Sequence, residues 1–111
     1  MSIVTIQNGN LWNGEREVAP VGTKVVQVLE LTAHRWLVRE EYYGFPSGSS
    51  NVYCVNDSLE SIWSVELPSL DDAFCNDAAL IDGKLFVSTW NCYRCEVDQE
   101  SGRILRKEFT K

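Results

Sequence analysis

The sequence contains no run of eighteen apolar residues, so no segment reads as a membrane-spanning helix and no membrane partner is expected. Its start, MSIVTIQNGN, has neither a basic region nor an apolar stretch of signal-peptide length, and a cytoplasmic location is expected. Basic residues are scarce: the formal net charge is −6, which argues against nucleic acid, whose phosphates call for a basic face. Histidine occurs once, as His34. G-x-S-x-G, a Gly-rich phosphate loop and H-E-x-x-H are all missing, so no catalytic residue is assigned and no cofactor is expected. In a reducing compartment the four cysteines are expected as free thiols rather than as a disulfide framework.

Helical periodicity is nearly absent too, and what replaces it is informative. Short alternating or apolar runs rich in Val, Ile, Leu, Trp and Tyr are cut by clusters of Gly, Asn, Asp, Ser and Pro, the pattern of an antiparallel all-β protein. Strands are expected over 3–6, 15–18, 24–31, 35–41, 51–55, 61–67, 78–81, 84–90, 93–97 and 103–109. Asn-Gly turns at 8–10 and 13–14 make the first 22 residues an N-terminal hairpin. One segment, LPSLDDAFCNDAAL, competes for helix: Ser69 and Asp72 imitate a capping box, and a single helical turn is expected there. With 111 residues and 44% apolar content, the chain is long enough for one domain, 1–111, with its own core.

A repeat organises the strands. VNDSLESIWSVEL lies over VDQESGRILRKEF without a gap at an offset of 42, placing Val55 on Val97, Ile62 on Ile104, Trp63 on Leu105 and Leu67 on Phe109. Upstream, RWLV at Arg35 answers KLFV at Lys84 once YGFPSGSS is taken as an enlarged hairpin loop. The expected architecture is therefore two four-stranded antiparallel meanders, 24–67 and 77–109, beside the hairpin.

The stretch DGKLFVSTWNCYRCEVDQESGRIL, from Asp82 to Leu105, resembles a blade of the quinoprotein-like β-propellers, the family that includes pyrroloquinoline quinone enzymes. Asp82-Gly83, Val97-Asp98 and Ser101-Gly102 fit the family's blade pattern. The family's tryptophan falls near Leu105 or Arg106 and is absent, whereas Trp63 holds that place in the first copy, whose turn lacks glycine. The resemblance implies four-stranded blades, either packed face to face as a small sandwich or completed by association with another chain. A closed ring takes about four to eight blades, so the family's quinone site is not carried over. Open meanders also leave unpaired edges, and the run from Val25 to Leu31 favours a homodimer.

Cys92 and Cys95 form one Cys-x-x-Cys. Zinc would need Cys54, Cys75, Cys92 and Cys95 to converge, and redox catalysis would need the pair at a helix start. The strand pattern instead puts Cys95 in the core with Tyr93 and Val97 and leaves Cys92 exposed at a turn tip, so no metal site is expected. Asp71, Asp72, Asn76, Asp77 and Asp82 lack the spacing of an EF-hand. Trp36, Trp63 and Trp90 fall in expected strands and read as core, while Trp12 lies in a turn-rich segment and is harder to bury.

Two surface features remain. Tyr42, Tyr43 and Phe45 are aromatic anchors in a Gly/Ser-rich loop, and residues 57–82 hold seven acidic side chains with no Lys or Arg. Together they read as a contact surface, with Tyr42, Tyr43, Phe45, Asp71, Asp72 and Asp77 as binding residues for a basic protein partner. The expected function is a small acidic non-catalytic binding module of the inhibitor or immunity type. A small-molecule pocket between the sheets, lined by Trp36, Trp63 or Trp90, is the alternative. An enzyme using His34 or a cysteine is a third.

Overall fold

The computed structural model describes residues 3–110, and all regular structure among them is β. Thr5–Gln7 (β1), Asn10–Trp12 (β2) and Glu17–Val18 (β3) form a three-stranded antiparallel sheet. Val25–Thr32 (β4), Arg35–Glu40 (β5), Val52–Asn56 (β6) and Ser61–Ser64 (β7) form the first four-stranded meander. Ala79–Ile81 (β8), Lys84–Ser88 (β9), Tyr93–Val97 (β10) and Ile104–Phe109 (β11) form the second. None of the described helices, there being none, could cross a membrane.

The all-β plan of an N-terminal hairpin and two four-stranded meanders is observed; one expectation is refined and one corrected. The N-terminal hairpin gains a strand: Asn8 and Gly9, both at positive φ, make a two-residue turn that pairs Gln7 with Asn10, so Asn10–Trp12 is strand and Trp12 is half-buried. The expected helical turn between Leu67 and Leu80 is not formed. The Ser69 hydroxyl bonds the Asp71 carboxylate rather than capping a helix. Phe74, fully buried, is held extended by a bridge to Thr89 and by the Asn51 side chain, which takes both its N–H (3.0 Å) and its C=O (2.8 Å).

The central sheet is covered on both faces because side chains alternate along its strands. Trp36, Val38, Tyr53 and Val55 pack with Val4, Leu11 and Leu59 in one core. Leu37 and Val52 pack with Leu85, Val87, Cys95 and Val97 of the second meander in the other. Hence β5 reads as five consecutive buried residues, Trp36–Glu40, rather than as an alternating strand.

The two meanders share a register as well as an order. Trp36 pairs with Val55 as Leu85 pairs with Val97, and each copy bulges at the same place, between Cys54 and Val55 and between Glu96 and Val97. The gapless alignment nevertheless slips by one residue past the turn. Ser61 faces Val55 and Ile104 faces Val97, so Trp63, opposite Cys54, corresponds to Arg106, opposite Glu96, and not to Leu105. The β4 edge that favoured pairing between chains is itself bulged at Val25/Gln27 and Glu30/Thr32.

Polar ties cross between the meanders. The Gln27 amide holds Ala78 through both its N–H and its C=O, each at 2.8 Å, and the Glu66 N–H donates to Gly102 O at 2.9 Å. Gly102 lies so close to the Ser64 carbonyl and the Trp63 ring that a Cβ would collide with both, and its φ is +78°. Gly83 has the same φ, +78°, in open space. Gly83→Ala is therefore expected to cost about 1 kcal/mol and Gly102→Ala about 2–3 kcal/mol, with a fall in thermal midpoint of roughly 10 °C for the latter. Paired calorimetric melts check this, and equal losses would contradict the close approach.

Candidate functional site

The aromatic loop between β5 and β6 is built from two successive turns. Phe45 N–H donates to Tyr42 O at 3.1 Å and Ser49 N–H to Pro46 O at 3.2 Å, with Gly44 and Gly48 supplying positive φ at the third position of each. Behind the loop lies the linker ahead of β4. Glu40, fully buried, accepts from the backbone N–H groups of Val21 (2.7 Å), Gly22 (2.9 Å) and Thr23 (3.0 Å) and from the Tyr53 hydroxyl. The Thr23 hydroxyl bonds the Glu41 carbonyl at 2.6 Å, and Gly22 sits so near Phe45 that a Cβ would come within 2.8 Å of its ring.

The acidic segment is fastened to the same place by Asn51. Its amide donates to Glu40 O at 2.9 Å as well as gripping Phe74, so the base of the aromatic loop and the acidic segment share one side chain. A turn from Ser69 to Asp72 precedes that grip. Trp90 N–H donates to Ala73 O at 2.9 Å, and the Trp90 ring stacks on Tyr42 at 5.7 Å between centroids.

Between the two segments is a cavity of about 180 Å³, lined by Tyr42 and Phe45 on one side and by Leu70, Asp71, Asp72 and Ala73 on the other. Among the described residues no Lys or Arg lines it. Asp72 contributes to the lining and is itself buried: Oδ1 accepts from the N–H groups of Ala73 (2.9 Å) and Asn91 (3.2 Å), and Oδ2 is closed off from solvent with no partner among the described residues.

A model of the family described as "Domain of unknown function (DUF7957)" matches residues 1–109. The chain belongs to the DUF7957 family. No curated protein matches it.

In this DUF7957 chain the structure brings Tyr42, Phe45, Asp71 and Asp72 to one cavity and leaves two of the six expected residues outside it. Tyr43 points to solvent, 82% exposed. Asp77 instead pairs with Arg39 at 2.7 Å. Trp90, expected in a strand and in the core, is a correction: β9 stops at Ser88, and Trp90 is 61% exposed on the turn that stacks against Tyr42. The sequence offered one signal for it, since Trp90 stands directly before the Asn91-Cys92 turn. Trp36, Trp63 and Trp90 do not converge: Trp36 and Trp63 lie in different cores, and neither lines this cavity.

A second cavity, about 140 Å³, lies on the outer face of the second meander among Lys84, Phe86, Arg94, Glu96, Arg106 and Glu108. Its charges are mixed, and Arg94 covers Phe86 at 4.1 Å. His34 bonds Asp57 at 2.6 Å, and Asp57 also takes the Trp36 indole N–H at 3.2 Å. The histidine hydrogen bond, then that from Trp36, holds the Asp57 carboxyl below its ordinary value. Thr32 Oγ1 accepts the His34 backbone N–H at 3.3 Å, but among the described residues no hydroxyl or thiol bonds the His34 ring, so no nucleophile is seen beside the dyad.

The thiols are dispersed, and no group of three or more His, Cys, Asp and Glu among the described residues is arranged to hold a metal. Cys92 sits at the expected turn with φ 70° but is half-buried rather than exposed, because Thr110 bonds its carbonyl through both N–H (2.8 Å) and hydroxyl (2.9 Å). Burial, then the Asp72 charge, pushes the Cys95 thiol up to about 11, and burial also raises Cys54 and Cys75. At about pH 8 a hydrophilic thiol reagent should modify Cys92 first and Cys75 more slowly, with Cys54 and Cys95 reacting only in denaturant. Peptide mapping checks the order, and native labelling of Cys95 would contradict the packing.

Burial opposes ionisation of Glu40, but its hydrogen bonds from Thr23, Tyr53, Gly22 and Val21 outweigh this and hold the carboxyl below its ordinary 4.5. The ionised form thus favours the fold above that value, and the contribution fades as pH falls through the lower native value. Glu40→Gln should cost about 2–3 kcal/mol at neutral pH and flatten the loss of stability between about pH 5 and pH 3. Urea unfolding across that range tests it; an unchanged pH slope would remove Glu40 from the acid transition.

Proposed function

We propose that this DUF7957 chain is a non-catalytic protein-binding module of the inhibitor or immunity type, whose contact surface is the cavity wall shared by the aromatic loop and the acidic segment. The observation that carries the reading is their meeting: Tyr42 and Phe45 share one cavity with Asp71 and Asp72, and no Lys or Arg among the described residues lines it. Aromatic anchors give a partner large, rigid contact area, and the surrounding carboxylates steer a basic partner and reject an acidic one. Both segments are held by buried hydrogen bonds, so little ordering accompanies binding.

The two meanders are read as blade-like repeats. Their common register and common bulge support the resemblance to propeller blades, and the charged outer face of the second meander suits a stack that stops there. Four free thiols suit a reducing, cytoplasmic setting.

The test uses the intact chain immobilised at low salt against proteins from its native host. A basic partner should be captured by the wild-type chain and released as ionic strength rises. A triple Tyr42→Ala, Tyr43→Ala, Phe45→Ala variant with an unchanged melting point should bind that partner at least about 30-fold more weakly, measured by calorimetry. Retained affinity in the triple variant, or a complex indifferent to salt, would refute the reading.

A further inference from the structure

Among the described residues one sheet edge is left open at length. β1, β3, β7 and β8 are two to four residues long and β4 is bulged twice, whereas β11 runs for six residues and pairs only with β10. Its own bulge lies at the start, where Leu105 is skipped between the Glu96–Arg106 and Val97–Ile104 pairs, so the stretch from Arg106 to Phe109 is regular. Glu66 reaches this edge at its first residue, accepting the Ile104 N–H at 3.0 Å. Beyond that point Leu105 and Phe109 are each 59% exposed.

The open side carries unpaired backbone groups. Thr110 donates both its N–H (2.8 Å) and its hydroxyl (2.9 Å) to Cys92 O, so it turns toward β10. Backbone groups alternate in direction along an antiparallel strand, so Glu108 and Arg106 also turn toward β10, while Phe109 and Lys107 turn outward. No hydrogen bond among the described residues outside the ladder takes the N–H or C=O of either. An edge lysine ordinarily guards such groups with its charge, but Lys107 folds back, its ammonium 4.9 Å from the centre of the Tyr93 ring.

We propose that β11 is a homodimer edge, on which β11 of a second copy pairs antiparallel across a twofold axis at Lys107. The strand's own charges choose both occupant and register. Outward-turned residues must meet outward-turned residues, which places the axis on a residue and not between two. With the axis at Lys107, Arg106 of each copy lies opposite Glu108 of the other, and Leu105 opposite Phe109. Moved to Arg106 or to Glu108, the axis would set a charge against its own copy. At the axis the two Lys107 backbones exchange N–H···O bonds, while each ammonium stays over the Tyr93 ring of its own chain. The contact joins two four-stranded sheets into one. It involves about five residues a side against the roughly 20–30 of a standard interface, so the dimer is weak, with a dissociation constant on the order of 100 μM. It does not depend on the contact surface at the aromatic loop.

Sedimentation equilibrium of the intact chain between about 20 μM and about 1 mM should show the average mass rising from one copy toward two. Over the same range, amide hydrogen exchange in the isotope-labelled chain should slow about fivefold at Lys107 and Phe109 and stay unchanged along β4. Lys107→Pro removes an outward N–H that the β10 ladder does not use, and should leave the chain monomeric at about 1 mM with its dispersed spectrum intact. Glu108→Gln should weaken association about fivefold. Glu96→Gln, an equal charge change one strand inward on the same face, should leave it within about twofold. Should Lys107→Pro lose its dispersed spectrum, the two glutamine variants decide.

A mass that stays at one copy up to about 1 mM, equal effects of the glutamine variants, or a folded Lys107→Pro chain that still dimerises would overturn the edge. So would a dimer whose amide protection appears on β4 and not at Lys107 and Phe109.

Discussion

Two consecutive charges at the end of β5, Arg39 and Glu40, are buried on opposite faces of the central sheet, and the layers are ordered around them. Glu40 is fully buried, and each of its hydrogen bonds is a demand on another segment. A buried carboxylate without donors would cost several kcal/mol, so the linker at Val21–Thr23 must turn its N–H groups inward. Once turned, that linker offers Gly22 as the floor under Phe45 and Thr23 as a donor to Glu41, and the aromatic loop is fixed. On the other face Arg39 reaches Asp77 and the Gln27 side chain, and Gln27 holds Ala78 at the entry to the second meander. One strand end thus sets the positions of the linker, the loop and the neighbouring sheet.

Most of the architecture is legible in the sequence because it rests on period-two alternation and on a repeat, both local properties. The strand cores of both meanders follow from RWLV, KLFV and the runs around Val55 and Val97. What is not legible depends on distant partners. Asn10–Trp12 looks like turn material until Leu11 is seen to be buried beneath the central sheet. The Ser69–Asp72 pattern imitates a helix start, but a fully buried Phe74 and the Asn51 clamp from 23 residues away select extended chain. The one-residue slip in the second half of the repeat arises in the turn, where Asp57-Ser58-Leu59 and Asp98–Gly102 reverse the chain with different lengths.

For the site, composition identifies the participants better than their geometry. Aromatics among Gly and Ser mark Tyr42 and Phe45, and the run of acids marks Asp71 and Asp72. Nothing in the sequence distinguishes Asp72, buried and short of a partner, from Asp77, exposed and paired with Arg39, because both stand in the same polar stretch. Trp90 is misread for a related reason. Its run of apolar neighbours predicts a longer β9, whereas the bridge from Thr89 to Phe74 ends the strand and turns the indole out toward Tyr42.

The surfaces of the two outer sheets differ in what they permit. A further sheet laid on the second meander would have to strip water from Lys84, Arg94, Glu96, Arg106 and Glu108, and the desolvation of each is several kcal/mol before any pairing is recovered. Arg94 already covers the Phe86 ring in that face, which shrinks the apolar patch such a sheet would use. Continuation of the stack on that side is therefore disfavoured by the charges themselves. Edge pairing is disfavoured at β4 by its two bulges. The cavity wall at Tyr42, Phe45 and Asp72 has neither obstacle: Tyr42 packs against Trp90, Phe45 lies against Gly22, and the charged side chains among its described lining residues are all acidic.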